Sequence, residues 1–170
     1  PAIALAAIKA SETGDDPILL ILSADHEIKN SEKFASTINN GISFASKGRI
    51  VTFGVNPSRA ETGYGYIESY NELSEQIFSS DIRKFLEKPN KEIAEKLILD
   101  NHYTWNSGIF LFRASTIINE LLKFEPKIVN LCKKALNNNF HDLFSNQKDK
   151  VIGSKKEFID IAFSISFLFL

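Results

Sequence analysis

Asp25-His26 follows an apolar run, Ile18 to Ala24. An acid at the carboxyl end of a strand stands where an open α/β sheet holds a metal ion or a sugar. Position alone leaves a second reading equally open, a loop acid that caps the next helix, and His26 by itself reads as a polar loop residue. Glu87-Lys88, in "FLEKPN", sets opposite charges side by side before Pro89. A carboxylate there suits a hydroxyl pair and an ammonium suits a phosphate, although a solvated charge pair is the commoner case, as it is for Arg83 and Lys84. Trp105-Asn106 comes just before the apolar run of "SGIFLFRA", and Gly108 permits close approach of backbone or ligand. Taken alone, that pattern also fits a core tryptophan and an ordinary turn.

Two further stretches carry weight. Asp160 is the one acid inside the apolar segment Phe158 to Leu170. A charge there is costly unless it is paired, bound to a metal or solvated at a frayed end. "ETGYGYIES", Glu61 to Ser69, sets Gly63 and Gly65 among tyrosines, with the turn chemistry of a hairpin and room for a ligand beside the backbone. No Ser/His/Asp or Cys/His arrangement stands out, and His102 and His141 lie in polar stretches.

These residues need a scaffold. Ala2 to Ala10 is rich in good helix formers, and Gly14-Asp15-Asp16-Pro17 breaks it. Ile18 to Ala24 is apolar at nearly every position, as in a strand buried on both faces of a parallel sheet. Asn30 or Ser31 caps a helix with Phe34, Ile38, Ile42 and Ala45 at helical spacing, stopped by Gly48. Arg49 to Val55 returns to strand. Strand, helix and strand within about forty residues make one right-handed crossover unit of an α/β fold.

After Asn56-Pro57 shorter strands are expected near Tyr64 to Ser69 and Ile82 to Leu86, as a hairpin insertion around a polar loop. Asn90 caps a helix running through Asp100, with Ile93, Ala94, Leu97 and Ile98 inward and a Glu92–Lys96 pair. "SGIFLFRA" is a buried strand. Ser115 opens a helix carrying Ile118, Leu121 and Leu122, and Pro126 starts another with Ile128, Leu131, Cys132 and Leu136, ended by Asn137 to Asn139.

Composition removes several classes. With 44% hydrophobic and 24% charged residues the chain is a globular protein rather than a disordered one. A net charge of −1 with interspersed signs gives no basic stripe for nucleic acid. The single Cys132 forms no internal disulfide, and a reducing cytoplasm is the expected compartment. Phe158 to Leu170 is shorter than the roughly 20 apolar residues of a membrane span, so no membrane association is expected. The chain opens on Pro1, contains no methionine and stops inside "ISFLFL", so it reads as a piece of something longer.

Six stretches in order, "PAIALAA", "LSADHEI", "VTFGVNPSRAETGYGYIE", "FLEKPN", "YTWNSGIFLFRAS" and "FIDIAF", resemble the bacterial mannose-1-phosphate guanylyltransferases from Pro1 to about Ala162. The resemblance implies an α/β, Rossmann-like nucleotidyltransferase fold of the glycosyltransferase-A-like kind. That fold is a three-layer sandwich on a mostly parallel sheet with a β-hairpin insertion, and residues 1–170 make one partial domain of it. It implies GTP and mannose 1-phosphate as substrates, GDP-mannose and pyrophosphate as products, and Mg²⁺ held by few carboxylates and by the phosphates.

By position, Asp25 matches a catalytic, metal-binding acid and Asp160 a second metal-binding acid. Glu87 matches the acid on sugar hydroxyls, Lys88 the catalytic cation near the sugar phosphate, and Asn106 a sugar-site asparagine. Gly63 matches the backbone beside mannose, and Tyr64 is expected to wall that pocket. The chain departs from the pattern in three ways: Ser23 stands where proline is usual, the residues after Asp160 differ, and the sequence begins downstream of the glycine-rich loop that cradles GTP phosphates. The chain alone is therefore expected to be inactive. Other readings are a relative specific for another sugar phosphate, and a non-catalytic sugar-nucleotide-binding or regulatory module. A homodimer is compatible with all of them.

Overall fold

The computed structural model describes residues 1–23, 26–74, 76–137 and 168–169, so Asp25 and Asp160 lie outside the described residues. The chain forms two compact units, one of Pro1–Leu19 and Arg113–Ile165 and the other of Leu20–Phe112 and Ser166–Leu170.

In the first unit three helices pack on one another: α1 (Ala2–Ala10), α4 (Ala114–Phe124) and α5 (Pro126–Asn137). The buried positions are Ala4 and Ala7 of α1, Ala114, Ile117 and Leu121 of α4, and Val129 and Cys132 of α5. Small alanines on α1 let helix axes approach closely. Leu122 and Leu131, expected among the apolar positions of their helices, are 40% and 64% exposed. Each lies next to a buried residue, Leu121 or Cys132, and adjacent helical residues point about 100° apart.

The start of α4 corrects the sequence reading. Ser115 does not open the helix; Ala114 does, and the cap comes from Asp16, 99 positions before Ser115. Asp16 Oδ1 accepts the Ser115 amide and Oδ2 accepts the Ser115 hydroxyl, both at 2.8 Å. These hydrogen bonds, the backbone one first, hold the Asp16 carboxyl below its ordinary range. An anion at a helix N-terminus satisfies free amides and favours the helix dipole.

The second unit carries α2 (Ser31–Ala45), α3 (Lys91–Leu97) and strands β2 (Val51–Val55), β3 (Gly65–Ser69), β4 (Ser80–Glu87), β5 (Tyr103–Arg113, its last residue in the first unit) and β6 (Leu168–Phe169). Both expected caps are present: Asn30 Oδ1 accepts the Lys33 amide and Asn90 Oδ1 the Ile93 amide, each at 2.9 Å. Ile93, expected inward, is 41% exposed. A seven-residue helix that buries Ala94 and Leu97, three apart, has too narrow a stripe to include it.

The fold is α/β as expected, but the sheet of this unit is mostly antiparallel. β2–β5, β3–β4, β3–β5 and β4–β6 run antiparallel, and β2–β6 is parallel. The cause is topological. β3 and β4 form a hairpin, and the 11-residue β5 returns against both β2 and β3, pairing with β3 along Tyr103–Trp105 and with β2 along Trp105–Leu111. The apolar run after Pro17 yields a short strand, β1 (Ile18–Ile21), with Leu20 and Leu22 at 36% and 48% exposed, so it is not buried on both faces. An apolar run records affinity for cover without fixing how many faces receive it.

Candidate functional site

The registers of β2, β5, β3 and β4 line up two adjacent rows of residues across the second unit. Val55, Trp105, Tyr66 and Leu86 form one row. Gly54 pairs with Asn106 and Gly65 with Glu87 in the next, and continuation of the β3–β5 register sets Gly65 opposite Asn106. Successive side chains alternate between faces, so the two rows point opposite ways.

The first row is structural. Tyr66 is fully buried with Ala94 and Leu97 of α3, and Leu86, Tyr103 and Trp105 pack around them. Tyr64 joins this aromatic layer, its ring edge-on to Trp105 with centroids 5.2 Å apart and planes at 83°. The Arg59 guanidinium lies 5.8 Å from the Trp105 ring centroid. Trp105, read from sequence as standing before its strand, is inside it, and so is Asn106.

The second row alternates glycine with a polar side chain: Gly54, Asn106, Gly65, Glu87. A Cβ on Gly65 would stand 2.8 Å from Glu87 Oε2 and 3.6 Å from Asn106 Cβ, so both side chains converge over the bare backbone of this glycine. Gly63, singled out from sequence, has no such constraint, since its nearest neighbour would be Glu61 Oε1 at 3.5 Å. Sequence reasoning read Gly63 and Gly65 together as room for a ligand but gave the mannose contact to Gly63, and it passed over Gly54. The signal for Gly54 and Gly65 was glycine inside a strand, the mark of close approach.

Asn106 is aimed by a bulge. Between Thr52–Phe110 and Gly54–Asn106 the register slips, so that Ser107, Gly108 and Ile109 oppose Phe53 alone. Gly108 takes φ +70°, a left-handed conformation that suits glycine, and its amide donates to Asn106 Oδ1 at 3.1 Å. The Asn-Ser-Gly sequence thus makes a bulge within β5 rather than a turn before it. Bulges commonly re-aim a side chain beside a site.

Lys88 follows Glu87 with φ +45°, which lysine rarely adopts. Its amide donates to Tyr64 O at 3.2 Å, and its Nζ stands 3.7 Å from Glu87 Oε1. Both side chains are well exposed, at 63% and 43%. Glu87 of β4 and Asn106 of β5 are therefore brought together, with Lys88 next to Glu87 in the chain. Such a set offers a carboxylate to accept from vicinal hydroxyls, an amide to donate, an ammonium for an anion, and an open glycine floor that lets a ring lie against backbone. Among the described residues no group of three His, Cys, Asp or Glu side chains converges to hold a metal ion. Nor is any helix among them long and apolar enough to cross a membrane.

Residues 1–166 match the family model described as nucleotidyl transferase. The chain is 41% identical over 165 residues to a mannose-1-phosphate guanylyltransferase of Klebsiella pneumoniae, covering 95% of this chain and 35% of that protein. It thus spans about a third of the length of the curated relatives it matches. Two solved structures share the fold. A mannose-6-phosphate isomerase from Helicobacter pylori is 34% identical with a TM-score of 0.66, over 80% of this chain and 49% of that one. A Thermus thermophilus protein named mannose-1-phosphate geranyltransferase is 28% identical with a TM-score of 0.70, over 80% and 39%. The chain belongs to the nucleotidyl transferase family.

Proposed function

We propose that the protein to which this chain belongs transfers GMP from GTP to mannose 1-phosphate, giving GDP-mannose and pyrophosphate. One observation carries the reading: Glu87 and Asn106 converge over Gly65 with the Lys88 ammonium beside them. Residues 1–170 belong to one nucleotidyltransferase domain in this reading. A phosphate oxygen of the sugar phosphate attacks the α-phosphorus of GTP in line. The new P–O bond forms as the bond to the bridging oxygen of the β-phosphate breaks, and the electron pair leaves with pyrophosphate. The protein's contribution to such a step is positioning and charge stabilisation.

Glu87 accepts hydrogen bonds from sugar hydroxyls, and Asn106, held by the Gly108 amide, orients the ring. The Lys88 ammonium neutralises the attacking phosphate. Gly63 and Tyr64 shape the hairpin beside them. Mg²⁺ belongs to the proposal with Asp25 and Asp160 as its carboxylates; it supplies charge neutralisation for the phosphates when bound.

The test is pyrophosphate release by the full-length protein with GTP and each of several sugar 1-phosphates. Mannose 1-phosphate is expected to give the highest kcat/KM. A preference for glucose 1-phosphate would overturn the substrate assignment. Binding of GDP-mannose without turnover would overturn the enzymatic reading in favour of a binding module.

A further inference from the structure

Glu61 is tied to the glycine hairpin through both its side chain and its main chain. Its Oε1 accepts the Gly63 amide at 3.2 Å, and Arg59 Nε and Nη2 both lie 3.1 Å from Oε2. The Glu61 amide donates to the Tyr66 hydroxyl at 2.9 Å, and that hydroxyl donates to the Glu61 carbonyl, also at 2.9 Å. Tyr66 is fully buried. A chain of contacts thus runs from the core through the Tyr66 hydroxyl to the main chain of Glu61, then through its carboxylate to Gly63, two residues before the Gly65 floor.

Glycines bring no side chain to anchor a loop, and they lose more backbone entropy on ordering than other residues. Order in "TGYG" must be imposed from outside. Hydrogen bonding by the Gly63 amide, then by the Arg59 side chain, holds the Glu61 carboxyl below its ordinary range, so the acceptor is ionised at neutral pH. Arg59 is itself stationed over Trp105.

We infer that Glu61 is a positioning residue which fixes the Gly63–Gly65 backbone against which the sugar phosphate lies; the inference rests on the site reading above. Its carboxylate is engaged by the Gly63 amide and Arg59 and acts through the hairpin.

The experiment compares Glu61→Ala and Glu61→Gln in the full-length protein. Glu61→Ala removes the Gly63 acceptor while keeping both main-chain contacts to Tyr66. KM for the sugar 1-phosphate should rise about tenfold or more, with KM for the nucleoside triphosphate and kcat within about twofold. Glu61→Gln retains an acceptor oxygen and should return the sugar-phosphate KM to within about threefold of the parent.

A readout without ligand accompanies it. In protein labelled at glycine nitrogen, the Gly63 amide resonance should move as pH falls below 4.5, the ordinary value for Glu61, and should stand still in Glu61→Gln. An unchanged KM in Glu61→Ala, equal rises for both substrates, or a Gly63 resonance that ignores pH would each overturn the inference. Absence of turnover by the unsubstituted protein with every sugar phosphate would overturn the functional reading instead, and the Gly63 titration would still decide the role of Glu61.

Discussion

The carboxylate of Glu87 occupies the space that a side chain at residue 65 would need: a Cβ on Gly65 would come within 2.8 Å of Glu87 Oε2. The two residues are cross-strand partners in β3 and β4, and the obstructing atom is the far end of a flexible, exposed side chain. Gly65→Ala should therefore be tolerated by the fold, with Tm within about 3 °C of the parent. It should still displace the carboxylate and raise the sugar-phosphate KM about tenfold or more. Gly63→Ala, with 3.5 Å of room, should do far less. Thermal denaturation and steady-state kinetics on the two variants check this, and equal KM values for both would refute it.

Lys88 combines a strained backbone with an exposed ammonium. A left-handed conformation costs a non-glycine residue about 1–2 kcal/mol. Lys88→Gly should relieve that strain and leave the protein at least as stable to urea, because the Nζ contact to Glu87 lies on the surface and contributes little. Turnover should fall by roughly ten- to a hundredfold, the worth of a charged hydrogen bond. A loss of stability together with full activity would contradict the role given to Lys88.

Asn106 serves two partners, the Gly108 amide and the proposed sugar. Asn106→Asp keeps an acceptor for Gly108 and so should hold stability within about 1 kcal/mol. It also places a second carboxylate near Glu87 and removes the amide donor. Binding of sugar 1-phosphate, measured by calorimetry, should weaken by about tenfold or more. Asn106→Ala should lose binding and also about 1 kcal/mol of stability, as the bulge amide loses its partner.

Glu68 and Tyr103 predict a pH dependence of folding away from the site. Burial and the Glu68 carboxylate, with a smaller push from Asp100 and an opposing one from Arg83, drive the Tyr103 hydroxyl up from 10.0 to about 12. Its contribution to stability is full below pH 10.0, where both folded and unfolded forms are protonated, and is lost as pH rises toward about 12. Burial raises the Glu68 carboxyl, but Tyr103, Lys84 and Arg83 outweigh that and leave it below 4.5. Its contribution is present above pH 4.5 and is lost as pH falls through the lowered folded value. In Tyr103→Phe the alkaline loss should disappear from a series of urea unfolding curves. A wild-type curve flat between pH 10 and 12 would rule out the Tyr103 assignment.

The starts of α2 and α3 and the end of α1 were legible because their signals are local, whereas α3 stops at Leu97, short of the Asp100 expected. Asn30 and Asn90 each lie three residues before the amide they accept, and the breakers after Ala10 are adjacent in sequence. The cap on α4 was not legible, since Asp16 and Ser115 are 99 positions apart and neither carries a mark of the other. Glu87, Lys88 and Asn106 drew notice by type and position, but residue type alone favoured a solvated pair and an ordinary turn, and the family resemblance supplied their expected roles. Gly65 could not be told from Gly63, because the two glycines look alike in a string and differ only in what stands opposite them. Glu61 was hidden for the same reason, since an acid beside a turn reads as a solvated charge.

Sequence by itself determined the α/β alternation and the two asparagine caps, because these follow from residue type and spacing; the polar residues proposed to bind a sugar phosphate came from the family resemblance. Tertiary structure alone decided which of them meet. Register between β3 and β4 sets Gly65 under Glu87, and the bulge at Gly108 turns Asn106 toward the same glycine. Strand direction was settled at the same level, since hydrogen-bond pairing is a choice among distant segments that periodicity does not encode.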